Sequence, residues 1–181
     1  MSGSSQPEAK AEAKAPSRWK RWLRDALILA VIFVGVRTWQ RRDLPSGPAP
    51  ALVTASIDGE RVALAEGDGP TLVHFWATWC GVCKAMDHNI VALAEDHRVI
   101  TVAVQSGPAG SVLSWMRDEG LWQDDTPAFP TVADPRSGLA QRWGVSAFPT
   151  SFVISDEGEI EYVEVGYTSE AGLRTRMWLA E

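Results

Sequence analysis

Cysteine is nearly absent: the 181 residues contain two, Cys80 and Cys83. So few cysteines exclude a disulfide-stapled mini-protein, and a bridge across two intervening residues closes too short a loop to remove much chain entropy. A disulfide here would serve chemistry rather than architecture. Positive charge is also in deficit, 17 Lys and Arg against 23 Asp and Glu for a net charge of -6, and the basic residues that cluster lie near the N-terminus. Nucleic acid is therefore excluded as a partner, because phosphate binding wants clustered basic residues on the folded part. Long hydrophobic runs are missing too. The most apolar stretch, residues 26–36, is well short of the roughly 20 residues of a full membrane span. No flavin or nicotinamide motif is visible. At 45% hydrophobic residues the chain can still build a core, and one domain with an N-terminal extension is the expected plan.

Residues 1–18, rich in Ser, Ala, Glu and Lys, read as a disordered cytoplasmic tail. Residues 19–40 read as a transmembrane anchor: Trp19, Trp22 and Trp39 flank the apolar run as an interfacial belt, and Arg24 and Arg37 can snorkel outward. No small-x-small cleavage site follows Val36. A cleaved signal and a buried helix are the alternatives. The basic residues before the run, Lys10, Lys14, Arg18, Lys20, Arg21 and Arg24, outnumber those after it and place the N-terminus inside. Residues 41–50 form a Pro-rich linker, expected to be a stiff spacer, and residues 51–181 the globular domain.

Within that domain, residues 55–62 suggest a small hairpin turning at Asp58-Gly59, and residues 71–76 a buried strand running straight into the cysteines. Cys83, Met86, Ile90, Leu93 and His97 recur at helical spacing and predict one amphipathic helix. Residues 99–104 predict a second buried strand, 111–119 a helix stopped by Gly120, and 129–133 a third strand. Asp134 is the expected cap of a short helix ended by Gly144. Residues 151–154 and 160–165 form an antiparallel pair, and a last helix covers 169–180. This alternation predicts an α/β sandwich on a mixed sheet.

The run Phe75-Trp76-Ala77-Thr78-Trp79-Cys80-Gly81-Val82-Cys83-Lys84, with Gly144-Val145-Ser146-Ala147-Phe148-Pro149-Thr150 downstream, resembles thioredoxin. More narrowly it is similar to the exported, membrane-anchored TlpA-like branch, which includes the suppressor-of-copper-sensitivity D type. The resemblance covers residues 51–181 and implies a thioredoxin-like sandwich, a mixed central sheet flanked by helices, preceded by one N-terminal transmembrane helix. It also implies that Pro149 is a cis proline facing the disulfide, that Phe148 sits where an incoming peptide pairs, and that the domain faces the periplasm from the inner membrane.

Disulfide exchange needs one exposed, partly ionised thiol. Cys80 stands where strand gives way to helix, and free N–H groups there draw a thiol pKa from about 8.5 toward neutrality. It is the expected nucleophile, and Cys83, one turn on, the expected resolving thiol. Trp79, Gly81, Val82 and Phe148 are the expected substrate-facing residues, with Trp76 divided between rim and core and Trp122 a further candidate at the groove. The resemblance places His74 where thioredoxin carries a buried Asp that moves protons. A histidine there is a general base toward Cys83, a cation stabilising a thiolate, or a plain buried group.

The function expected is a membrane-anchored thiol-disulfide oxidoreductase without a cofactor beyond its own disulfide, more in keeping with a reductant of exported protein thiols or disulfides than with an oxidant or isomerase. No dimerisation segment typical of isomerases is visible. A reductant outside the cytoplasm needs a membrane electron donor, itself a thiol-disulfide protein. The competing class is a Cu(I)-binding copper-tolerance module using the same two cysteines. A zinc site that adds His88 and His97 fails on distance if Cys83 to His97 is one helix, so no metal ligand set is expected.

Overall fold

The computed structural model describes residues 18–41, 44–65, 67–123 and 125–181. Apart from Arg18, the expected N-terminal tail lies outside them. The chain divides into two compact units, one ending at Arg37 and the other spanning Thr38–Glu181.

The described residues of the first unit all lie in a 24-residue helix, α1 (Arg18–Arg41). Its apolar side chains, among them Leu27, Ile28, Leu29, Val31, Ile32 and Val34, are exposed. Among the described residues no helix is long and apolar enough to cross a membrane, and the complete span expected over residues 19–40 is not shown. The cause is charge rather than length: at about 1.5 Å per residue the helix is long enough, but Arg24 and Asp25 on one side and Arg37 on the other leave too short an uncharged stretch.

In the second unit the elements follow as β1 (Gly47–Pro48), β2 (Val53–Ala55), β3 (Arg61–Ala63), β4 (Thr71–Trp76), α2 (Gly81–Lys84) and α3 (Asp87–Ala94). Then come β5 (Arg98–Val104), α4 (Ala109–Asp118), β6 (Trp122–Gln123), β7 (Thr126–Pro127) and β8 (Thr131–Asp134). The chain closes with α5 (Gly138–Arg142), β9 (Thr150–Ile154), β10 (Glu159–Val165) and α6 (Glu170–Leu179). Six strands form the main sheet in the order β1-β10-β9-β4-β5-β8. β4, β5 and β8 are parallel, while β9 runs antiparallel to both of its neighbours, β4 and β10. This is the mixed thioredoxin-like sheet.

Every residue of β4 is buried, as a central strand covered on both faces requires. Alternation sends Leu72 and Trp76 into the core they share with Cys83, Met86, Ile90, Val112 and Met177, and sends Val73 and Phe75 into a second core around Trp143 and Phe152. Both faces are thereby dry. The rings of Phe75, Trp143 and Phe152 lie 5.0 to 5.8 Å apart, centroid to centroid.

Several local expectations change. The helix predicted from Cys83 to His97 breaks in two: the Met86 N–H closes a tight turn on the Cys83 carbonyl at 2.8 Å, and His97 lies beyond the end of α3. The Met86 side chain is fully buried at the break, so the core holds the kink. Part of the expected spacer belongs to the sheet, since Gly47 and Pro48 pair with Ile160 and Glu159. Asp134 is the last residue of β8 and Ser137 occupies the position that opens α5, but the Asp134 carboxylate still caps that helix as expected, accepting the Gly138 and Ala140 N–H groups.

Candidate active site

Because β4, β5 and β8 are parallel, their C-terminal ends fall on one edge, the edge where sites collect in α/β sheets. Three loops leave from it: residues 77–80 after β4, 105–108 after β5 and 135–137 after β8. β9 runs the other way, so its leading residues Phe148 and Pro149 reach the same edge.

Cys80 and Cys83 are joined as a disulfide with Cα atoms 5.2 Å apart. Cys80 is the N-cap of α2 in extended backbone, and the Cys83 N–H donates to its sulfur at 3.2 Å. With α2 only four residues long, the dipole of a long helix is not available. Stabilisation of a Cys80 thiolate falls to that one amide and its neighbours. The two sulfurs differ in access. Cys83 is 1% exposed within the core, whereas Cys80 is half-buried, with Trp79 and Val82 beside it both exposed. A Cβ built on Gly81 would meet open space, so Gly81 keeps the approach to the disulfide uncluttered.

The loop before Cys80 is tied down by its neighbours. The Thr78 N–H donates to Ser106 Oγ at 3.0 Å, and the Trp79 indole N–H donates to the Gln105 carbonyl at 3.2 Å. The Trp79 ring meets Phe148 edge-on, 5.8 Å between centroids. The Phe148–Pro149 peptide bond is cis, and the Pro149 carbonyl accepts the Gly166 N–H at 2.8 Å. Trp79, Cys80, Gln105, Ser137, Val145 and Phe148 belong to the lining of an open groove of about 530 Å³ beside the disulfide. Trp76 is not part of that rim: it is 2% exposed and packs on Trp115, centroids 5.0 Å apart. Trp122 is taken up elsewhere, under the Arg117 guanidinium at 4.4 Å.

His74 is buried on β4 and its Nδ1 lies 2.8 Å from Ser151 Oγ on β9. By alternation it shares the face of Leu72 and Trp76, the face that packs with Cys83. Burial pushes its pKa down to about 3. The imidazole is therefore neutral near pH 7, which closes the thiolate-stabilising cationic role.

Three residues escaped the sequence reading. Asp87, in the first turn of α3 and buried, has its pKa pushed up to about 7 by burial and by Glu119, with Lys84 pulling the other way. Lys84 itself is bound to Glu119 at 2.6 Å. Gln105 and Ser137 join across the groove, Gln105 Nε2 donating to Ser137 Oγ at 2.9 Å. The signal that would have found them is their place just after parallel strands. Among the described residues no group of three or more His, Cys, Asp or Glu is placed to hold a metal ion.

The Redoxin family model matches residues 44–176. Over 168 residues the chain is 30% identical to a thioredoxin-like protein of Haemophilus influenzae, covering 90% of this chain and 96% of that one. It is 32% identical over 147 residues to a thiol:disulfide interchange protein DsbE homolog of Paracoccus denitrificans, covering 74% and 78%. Among solved structures, StoA from Bacillus subtilis superposes with a TM-score of 0.59 at 25% identity, over 73% of this chain and 98% of that one.

Proposed function

The chain belongs to the Redoxin family, and on that premise we propose that it is a thiol-disulfide oxidoreductase that reduces exported proteins through Cys80 and Cys83 from a membrane-attached position. The observation that carries the chemistry is the unequal exposure of two bonded cysteines at the strand-end edge. An attacking sulfur must be reachable, and a resolving sulfur must be screened from everything but its partner.

In the reductive direction the Cys80 thiolate attacks one sulfur of a substrate disulfide, forming a mixed disulfide and releasing the other substrate sulfur as a thiolate. Cys83, deprotonated, then attacks Cys80 Sγ, forming the Cys80–Cys83 disulfide and releasing the second substrate sulfur. Two electrons pass to the substrate, and its two thiolates take up protons. The next turnover requires a dithiol donor, which we place in the membrane as another thiol-disulfide protein.

Trp79, Phe148 and the Pro149 loop border the approach to Cys80 and serve as the platform for the substrate chain, with Gly81 and Val82 on the open side. The neutral His74 holds β4 to β9 through Ser151. Membrane attachment is supported by the exposed apolar side chains of α1 and the exposed Trp19 and Trp22 before them. The Arg24–Asp25 ion pair at 2.9 Å reduces the charge at the start of the apolar run.

The deciding experiment traps thiols in acid in the native membrane and labels them with a mass tag. A mostly reduced Cys80–Cys83 pair supports the reductant; a mostly oxidised pair sinks it in favour of a disulfide donor. The same sample, washed with alkaline carbonate, tests attachment, since a chain that leaves the membrane in the wash is not anchored.

A further inference from the structure

Ser137 opens α5, where a serine hydroxyl normally accepts an amide of the helix's first turn. Here it does not. The Asp134 carboxylate takes those amides instead, from Gly138 at 2.7 Å and Ala140 at 2.9 Å. The Ser137 hydroxyl is left for Gln105 Nε2. Gln105 is likewise spent along its backbone, its N–H donating to the Asp134 carbonyl at 3.1 Å and its carbonyl holding the Trp79 indole.

Both residues also sit in left-handed backbone, φ 50° and 60°, and among the described non-glycine residues only Asp125 shares that region. Such a conformation is disfavoured for any residue that carries a side chain. The backbone N–H groups of both donate to the Asp134 carbonyl, Gln105 at 3.1 Å and Ser137 at 3.2 Å, which holds the two turns side by side. Their common position is the groove beside Cys80, and none of the ten residues lining that groove carries a formal charge.

We propose that Gln105 and Ser137 form the contact that reads the substrate segment flanking the reactive cysteine, and that they select an uncharged one. A glutamine amide oxygen and a serine O–H supply one acceptor and one donor, the complement of a peptide group. A charged flanking residue would lose water in a groove that offers no counter-charge. This inference rests on the thiol-disulfide reading above and names the substrate class of that same site.

The test uses the reduced full-length chain in detergent and three disulfide-bonded peptides that differ only beside the reactive cysteine, with serine, lysine or aspartate there. A small aromatic disulfide serves as activity check. The unmodified chain should reduce the serine peptide about tenfold faster than either charged one. Gln105→Glu and Gln105→Lys should move the lysine-to-aspartate rate ratio in opposite directions, each by about tenfold. Because the readout is a ratio between peptides, a general loss of activity in a variant cancels, and either variant alone suffices if the other does not fold. The shifts should persist at high salt, which screens long-range steering but not direct contact. Ratios that do not move, or that move only at low salt, overturn the contact. Equal rates on all three peptides with the unmodified chain overturn the selection. Failure to reduce the small disulfide as well would instead bring down the oxidoreductase reading itself.

Discussion

The backbone N–H of Cys83 points at the sulfur of Cys80 from 3.2 Å, so the residue that is itself sealed in the core supplies the hydrogen bond that a Cys80 thiolate would need. Roles follow from this. Cys83→Ser keeps that amide and the attacking thiol but removes the resolving one. It should accumulate a covalent complex with substrate, seen as a reducible band on a non-reducing gel. Cys80→Ser should form no complex and lose turnover by at least 100-fold.

Phe148→Ala should weaken protein substrates more than small ones. It removes the edge-on contact with Trp79, of a kind worth about 0.5–1.5 kcal/mol. A rise in KM of about threefold to tenfold for a protein disulfide, with a smaller change for a small disulfide, is the expected kinetic result.

Asp87 should make the fold less stable as pH rises. Its pKa stands at about 7 against an ordinary 3.8, so between those values the folded chain keeps a proton that the unfolded chain has lost. Stability from this group is full below about pH 4, falls through pH 7 and is level above it. In denaturant titrations Asp87→Asn should gain on the parent chain across that window, by less than about 1.4 kcal/mol per pH unit.

His74 should act in the opposite sense. Burial holds its pKa at about 3 instead of 6.5, so below pH 6.5 the unfolded chain binds a proton that the folded chain refuses, and stability is lost as pH falls from 6.5 toward 3. His74→Asn should lose less on acidification than the parent, again by at most about 1.4 kcal/mol per pH unit. Asp87 and His74 partly cancel between pH 4 and 6.5, so the parent curve there should be flatter than that of either variant. Exchange activity of His74→Asn that keeps the parent's pH profile would assign His74 to packing alone.

Much of this protein was legible from its residues. The apolar strand of residues 71–76, the cysteine pair after it and the proline before β9 are local patterns, and local patterns persist because a buried strand must be apolar whatever surrounds it. The break between α2 and α3 was not legible, because the run from Cys83 to Leu93 keeps helical spacing through it. Only the buried Met86, held by neighbours distant in sequence, fixes the turn there.

The chain by itself therefore determined the chemistry: two cysteines, a strand to deliver them and a helix turn to separate them, all within residues 71–84. Tertiary structure decided what surrounds that chemistry. It buried Cys83 and left Cys80 in reach, it turned His74 neutral and raised Asp87 by removing water, and it brought Gln105 and Ser137 together from the ends of two parallel strands. Charge state and access depend on solvent exclusion by residues far apart in sequence, and only the folded chain brings those residues into contact.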